Sequence, residues 1–199
     1  VNQAAFVIER LMLLRIVTDL NTGAGHDFAA ARRVLAKNQT EKHGFARKSD
    51  FKLLELGSNR MIFSLTHSAA TQALYPYKFE FLIGYTLEEN TLACSYEVIN
   101  TDDKDIYFSL GGHPAFAVPF NESEESYSDY YIEFEEPENL VRHYISEAGF
   151  FDGRAETLVS NGHALNLKGD MFKEDALIFK NLKSRSVALK SNVNSNCVK

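Results

Sequence analysis

The sequence has few cysteines and no long apolar run, and both absences exclude classes of protein. Its two cysteines, Cys94 and Cys197, are too few and too far apart for a disulfide framework or a zinc site. Cys94 alternates with apolar neighbours, so we expect it in the core and the protein in a reducing compartment, the cytoplasm. A transmembrane helix needs roughly 18 or more uncharged apolar residues, whereas the most apolar stretch, residues 4–20, contains charged side chains.

Dense positive charge is also missing. Lys and Arg together number 21 against 27 Asp and Glu, for a net charge of -6, and no basic run is dense enough to follow a phosphate backbone. We therefore expect no nucleic-acid partner and no membrane partner. The glycine-rich nucleotide motifs, the H-E-x-x-H zinc motif and the G-x-S-x-G hydrolase motif are absent as well. The chain does have 45% hydrophobic and 12% aromatic residues, enough for a sizeable core.

The residue pattern changes near residue 41. We expect an N-terminal segment over residues 1–40, with two short stretches of helical spacing, and a partial β-sandwich domain over residues 41–199. From residue 42 onward, short runs rich in β-branched and aromatic residues are separated by turn residues. This pattern predicts an all-β fold, an antiparallel β-sandwich. The predicted strands cover residues 51–56, 60–66, 77–87, 91–100, 105–110, 130–134, 140–144, 164–167, 176–179 and 186–190.

One stretch, residues 106–120, combines a predicted strand with a histidine in a stiff backbone. The strand meets Gly111 and Gly112, which weaken a strand interior and usually mark a bend or a close approach of the backbone. His113 follows, and its imidazole, with an ordinary pKa of about 6.5, can give and take a proton near neutrality. Pro114 restricts His113 to extended conformations. This stretch is compatible with two interpretations, a functional site and a tight corner of an all-β protein.

Two further stretches carry side chains that suit a polar site. Residues 43–47 read His-Gly-Phe-Ala-Arg, which fits either a loop facing a cleft or a surface turn. Phe45 and Phe116 can offer ring faces to a sugar, or they can belong to the core. Asp175, at the entrance of a predicted strand, can accept two hydrogen bonds from sugar hydroxyls or be a turn residue. The other histidines beside loop residues are expected to be structural: His67, His143 and His163.

Three ordered stretches together resemble a known family. Residues 43–47, residues 110–116 (Leu-Gly-Gly-His-Pro-Ala-Phe) and residues 170–179 (Asp-Met-Phe-Lys-Glu-Asp-Ala-Leu-Ile-Phe) resemble the aldose 1-epimerases, or galactose mutarotases. The subgroup typified by the LacX proteins of lactose operons is the most similar. The likeness extends from about residue 42 to about residue 190. Three motifs in this order are far more specific than any one of them.

The resemblance implies a fold, a reaction and a set of site residues. The fold is an antiparallel β-sandwich of the galactose mutarotase-like (supersandwich) type. The reaction is the reversible conversion of α and β anomers of an aldohexose, such as glucose or galactose, without metal or organic cofactor. By position in the motifs, His113 is expected as general acid toward the ring oxygen, with His43 as a second imidazole at the sugar. Asp175, Arg47 and Phe116 are expected to bind substrate, although Arg47 also fits a structural ion pair.

The sequence departs from the family pattern at both ends. The family's catalytic base is a glutamate in a motif near the C-terminus, and no such motif is recognised before Lys199. The family's opening strands are not recognised in residues 1–37, and the first residue is Val and not Met. We therefore expect a fragment, a frame-shifted product or a divergent member, with weak or absent catalysis. The alternative function is a non-catalytic carbohydrate-binding β-sandwich module.

Overall fold

A computed structural model describes residues 44–108, 110–112, 114, 116–121, 123–146, 151–174 and 176–199. The described residues form two compact units, which meet in the sequence between Gly111 and Gly112. Each unit contains one four-stranded sheet, and all paired strands are antiparallel. The prediction of an all-β antiparallel fold is therefore confirmed. The helical stretches predicted within residues 1–40 lie outside the described residues.

In the first unit, consecutive strands pair as hairpins in the order β1-β2-β3-β4. Alternation along the strands explains its core, because Phe81 pairs with Val98, and Ile83 with Tyr96, on one face of the sheet. Phe79 continues this face and is buried with Phe81. The elements of this unit are a 3-10 helix (Ala46–Lys48), β1 (Lys52–Leu56), β2 (Arg60–Thr66), α1 (Ala69–Leu74), β3 (Phe79–Glu88) and β4 (Thr91–Asn100).

Helix α1 forms where the sequence pattern predicts only a turn. Ser68 caps it, because the Thr71 amide donates to the Ser68 hydroxyl at 3.2 Å and the Ser68 amide donates to the Thr71 hydroxyl at 2.7 Å. The helix ends within two turns at Tyr75, which is buried in the aromatic cluster below it. No helix in the described part of the chain is long and apolar enough to cross a lipid bilayer.

In the second unit, the strand order is β6-β5-β7-β8, and β5 lies at the centre of the packing. Tyr130, Phe134 and Leu140 on β5 are completely or almost completely buried, and Leu167 packs with them. The pairing of β5 with β6 shifts register several times, which indicates β-bulges. The elements are a 3-10 helix (Tyr127–Asp129), β5 (Tyr130–Ile145), β6 (Phe151–Asn166), β7 (Val187–Ser191) and β8 (Cys197–Val198).

The apolar face of the first sheet is covered at one end only. Phe79 and Phe81 are buried, whereas Leu87 and Leu92, which pair next to the β3–β4 turn, are 54% and 61% exposed. Cys94 lies near this uncovered end and is exposed. The prediction that Cys94 lies in the core is therefore wrong. Alternation identifies the face on which a residue lies, but not how far along that face the covering residues extend.

Two of the predicted strands do not form. In residues 105–110, the described residues belong to no strand, and the Tyr75 hydroxyl donates to the Tyr107 carbonyl at 3.1 Å. Residues 176–179 contribute only an isolated bridge, from Ile178 to His143. Both runs are apolar, which predicts burial. A strand also needs a neighbouring strand to complete its ladder, and none of the described strands pairs with either run beyond that bridge.

Truncating Phe134 tests the packing of the second unit. Phe134 is 1% exposed, so Phe134→Ala should leave a cavity and lower the free energy of unfolding by about 3–5 kcal/mol. Leu56→Ala removes a side chain that is 71% exposed and should change stability by no more than about 0.5 kcal/mol. Urea denaturation followed by circular dichroism measures both values. Similar losses for the two variants would contradict the described core.

Candidate functional site

The residues that follow His43 are described, whereas His43 itself lies outside the described residues. Gly44 is buried and has a φ of 64°, in the left-handed region that favours glycine. The Phe45 ring packs against Tyr75 and Phe79, with ring centroids 6.1 and 5.9 Å apart. Phe45 is half-buried and packs against the core of the first unit, as the core interpretation predicts. The backbone directly after His43 is anchored by this ring and requires glycine at position 44.

Arg47 lies in the 3-10 helix Ala46–Lys48 and is exposed. A structural ion pair was one interpretation of this residue. No acidic side chain that the structure describes forms an ion pair with Arg47. Arg47 as a whole is exposed, and its role in substrate binding stays a prediction.

The motif at residues 110–116 is described in part, because Ser109, His113 and Ala115 lie outside the described residues. Gly112 and Pro114, the neighbours of His113, are exposed. Phe116 is 37% exposed and is not a member of the core of the second unit. The core interpretation of Phe116 is therefore wrong, and its role in substrate binding stays a prediction.

A hydrogen-bond network around Glu125 fixes the backbone that follows this motif. The Phe120 amide donates to the Tyr130 hydroxyl at 2.7 Å, and this hydroxyl donates to the Glu125 carboxylate at 2.5 Å. The Ser191 hydroxyl donates to the other carboxylate oxygen at 2.7 Å, and the Asn194 side-chain amide also donates to it. These bonds, above all the one from Tyr130, lower the pKa of Glu125 below its ordinary value of 4.5. The network ties residue 120 to the start of β5.

Asp175 lies outside the described residues, but its neighbours on both sides are held by β5. On the N-terminal side, Arg142 Nη2 donates to the Glu174 carbonyl at 3.2 Å. On the C-terminal side, the His143 amide donates to the Ile178 carbonyl at 2.8 Å. Arg142 and Ile178 are both buried, at 6% and 5% exposure. Two consecutive residues of β5 therefore restrain the segment that carries Asp175.

Two arginines share the ring of Tyr144. The guanidinium carbons of Arg142 and Arg154 lie 4.4 and 4.6 Å from the ring centroid, within the range of cation–π contacts. Arg154 also forms ion pairs with Asp152 at 2.8 Å and with Glu174 at 2.9 Å. The two arginines therefore contact both the backbone and the side chain of Glu174, the residue before Asp175.

The histidines that we expected to be structural make contacts typical of that role. The rings of His67 and His163 lie 3.3 and 3.2 Å from the carbonyl oxygens of Phe79 and Phe134. Burial lowers the pKa of His143, which favours its neutral form. Among the residues that the structure describes, no group of three or more His, Cys, Asp or Glu could hold a metal ion.

Neither Arg142 nor Arg154 is predicted as a site residue from the sequence. A signal for Arg142 exists, because alternation along β5 places it on the same face as the buried Leu140. A charged side chain on a buried face requires hydrogen-bond partners, so it marks a polar contact with a neighbouring segment. Of the predicted site residues, the structure describes Arg47 in the first unit and Phe116 in the second. The others lie outside the described residues: His43, His113 and Asp175.

Comparison with known families places this geometry in context. The family model described as Aldose 1-epimerase matches residues 28–199. The chain belongs to the aldose 1-epimerase family. The matched range contains all three motifs, so the resemblance drawn from them is confirmed. It also contains the segment that Arg142 and Arg154 contact.

Curated relatives place the chain near one subgroup of the aldose 1-epimerase family. It is similar to the plasmid and chromosomal forms of Protein LacX from Lactococcus lactis subsp. lactis, each 36% identical over 153 residues. That alignment covers 75% of this chain and 51% of each relative. The chain therefore spans about half the length of the curated relatives it matches, and the predicted similarity to the LacX-like subgroup is confirmed.

Solved structures of galactose mutarotase relatives share the fold. One is a galactose mutarotase related enzyme from Lactobacillus acidophilus, with a TM-score of 0.71 and 30% identity over 79% of this chain and 52% of that one. Another is a galactose mutarotase-like protein from Lactobacillus casei ATCC 334, with a TM-score of 0.70 and 28% identity over 79% of this chain and 54% of that one. The predicted galactose mutarotase-like fold is therefore confirmed.

The Glu125 network predicts a dependence of stability on acid pH. Because folding lowers the pKa of Glu125, its contribution is present above the ordinary pKa of 4.5 and is lost as the pH falls through the folded value. Glu125→Gln should therefore lower the free energy of unfolding at neutral pH. It should also make that free energy fall less steeply as the pH is lowered. Urea denaturation at pH 7 and at about pH 4, where carboxylates begin to protonate, measures the difference.

Glu124→Gln is the matched control for this experiment. Glu124 is the exposed neighbour of Glu125, and its carboxylate makes no hydrogen bond with another described residue. Glu124→Gln should leave unchanged both the free energy of unfolding at neutral pH and its decrease in acid. Equal effects of the two substitutions would show that general charge, and not the network, controls stability in acid.

Proposed function

We propose that this chain binds an aldohexose and promotes interconversion of its α and β anomers, with His113 as the proton donor to the ring oxygen. The observation that carries the proposal is the family match over residues 28–199, which includes the motifs at residues 43–47, 110–116 and 170–179. The sugar itself is part of the proposal, because the chain spans about half the length of the relatives it matches.

The chemistry is a reversible ring opening. A base takes the proton from the anomeric hydroxyl, a carbonyl forms at C1, and the bond between C1 and the ring oxygen breaks. His113 supplies a proton to the departing ring oxygen, while His43 polarises the same oxygen and Asp175 binds hydroxyls. Rotation about the C1–C2 bond and reversal of the proton transfers then close the ring as the other anomer. Each proton returns, so the reaction needs no net acid or base.

Two described residues support binding of a sugar. Phe116 presents part of its ring to solvent three residues after His113, which suits contact with the C–H face of a pyranose. Arg47 presents an exposed guanidinium four residues after His43, and its five N–H donors suit hydroxyl oxygens. Each motif therefore combines a proposed proton-handling histidine with an accessible binding group nearby in sequence.

A non-catalytic carbohydrate-binding module is the second candidate. The observation in its favour is that the two predicted site residues which the structure describes, Arg47 and Phe116, are both exposed and both expected to bind sugar, not to transfer a proton. A positioned general acid alone contributes about 10²–10⁴-fold, which sets the upper limit of the acceleration that we expect from His113.

Polarimetry on freshly dissolved α-glucose or α-galactose tests the enzymatic proposal. The chain should raise the rate of anomer exchange above that of buffer, and His113→Asn should remove the acceleration because Asn cannot donate a proton from an imidazolium. His163→Asn is the matched control, since its ring contacts the Phe134 carbonyl and has no proposed role in the reaction. It should keep the wild-type rate.

The outcomes separate the two candidates. A rate equal to that of buffer, together with saturable binding of the hexose, would reject catalysis and support the binding module. A rate equal to that of buffer without binding would reject both. Loss of activity in His163→Asn to the same extent as in His113→Asn would reject the specific role of His113.

A further inference from the structure

A buried arginine on β5 holds the backbone immediately before Asp175. Arg142 is 6% exposed, and its Nη2 donates to the Glu174 carbonyl at 3.2 Å. Burying a guanidinium is unfavourable unless it forms hydrogen bonds, so a buried arginine is strongly tied to the groups that it contacts. The position of the Glu174 carbonyl is therefore coupled to the rigid centre of the second sheet.

Arg154 makes a second contact with Glu174, through the Glu174 side chain. Its Nη1 contacts the Glu174 carboxylate at 2.9 Å, and its other donors contact Asp152 at 2.8 and 2.9 Å. The Arg154 and Glu174 side chains are each 58% exposed, so this pair is screened by solvent and is weaker than the buried contact. Arg154 restrains Glu174, but Arg142 is the main anchor.

Tyr144 orders the two guanidinium groups. Both lie over its ring, and its hydroxyl donates to Glu156 on β6 at 2.6 Å. Arg142 pairs with Glu156 across the strands, and Tyr144 follows Arg142 by two residues on the same face of β5. The ring contact and the hydroxyl bond limit the rotamers of Arg142, so that its donors are held toward the loop.

The other side of Asp175 is restrained as well. The His143 amide donates to the Ile178 carbonyl at 2.8 Å, and residues 177–179 are buried. The chain is therefore fixed at positions 174 and 178 by two adjacent residues of the same strand.

We propose that Arg142 is a positioning residue for Asp175, and that it sets the affinity of this chain for hexose hydroxyls by holding the Glu174 backbone. The inference rests on the proposed function, in which Asp175 binds those hydroxyls. Binding groups must be held to within about 0.5 Å of their working geometry, and a residue that controls the adjacent carbonyl controls that geometry. Arg154 also helps to restrain Glu174, through the Glu174 side chain.

The chain offers a matched control in Glu138. This residue is the other buried charged residue among the described positions of β5, at 3% exposure. It accepts from the Lys183 and Ser184 amides at 2.8 and 2.7 Å, so it anchors a loop that carries no predicted site residue. Glu138→Gln keeps an oxygen that can accept these bonds but removes the charge that strengthens them, so it reports the cost of weakening a buried backbone anchor as such.

The experiment compares Arg142→Lys, Arg154→Met and Glu138→Gln with the wild type. Arg142→Lys keeps the charge but loses the planar fork, which favours a folded variant with a displaced contact. We expect the dissociation constant for galactose or glucose, measured by NMR titration, to rise about 10-fold for Arg142→Lys, as expected when a supporting residue around a site is changed. It should rise less for Arg154→Met and stay unchanged for Glu138→Gln.

Hydrogen exchange locates the effect. Amide exchange should accelerate within residues 171–179 in Arg142→Lys and within residues 180–186 in Glu138→Gln, with β7 protected in both. An unchanged dissociation constant in Arg142→Lys, while the wild type binds hexose, would overturn the positioning role and leave the proposed function standing. Equal weakening by Arg142→Lys and Glu138→Gln would also overturn it. A wild type that binds no hexose would reject the proposed function itself, and the positioning role with it.

Discussion

Charged side chains on or beside β5 bond to the backbone of segments that have left the sheet, and the second unit depends on these bonds. A backbone N–H or C=O group outside a strand ladder needs another hydrogen-bond partner. Burying such a group without a partner lowers the stability of the fold by about 1–3 kcal/mol. Glu138 accepts from the Lys183 and Ser184 amides, and Arg142 donates to the Glu174 carbonyl. Glu125 accepts from the Asn121 amide and binds Tyr130 at the start of the strand. These side chains act as anchors for the connecting segments.

The anchors bear on the proposed function, because the family motifs lie in such segments. Binding and catalytic residues are often found on loops that a rigid scaffold positions. The motif at residues 170–179 is held directly by Arg142, and the stretch after His113 is tied to Tyr130 through the Phe120 amide. In the first unit the corresponding anchor is apolar, since the ring of Phe45, two residues after His43 in the sequence, packs against Tyr75 and Phe79. The motif segments are thus held by polar contacts in the second unit and by apolar packing in the first.

The sequence predicted the sheets because alternation of side chains is local. The pairing of Phe81 with Val98, for example, follows from two regular strands and a short turn. The contact of Arg142 with Glu174 joins residues 32 positions apart, and no local pattern specifies such a pair. Residues 105–110 were wrongly predicted as a strand for a related reason: apolar composition indicates burial but does not supply a partner strand. The motif histidines were found by resemblance to a family, since spacing alone left both a site and a corner open.

The proposed function requires the His113 imidazole to contact a hexose. Its ring signals in a heteronuclear NMR spectrum, assigned by their loss in His113→Asn, report this contact without requiring turnover. Addition of galactose or glucose should shift these signals in a saturable manner and leave the His163 signals in place. His113 signals that stay fixed at high concentrations of both sugars would contradict it.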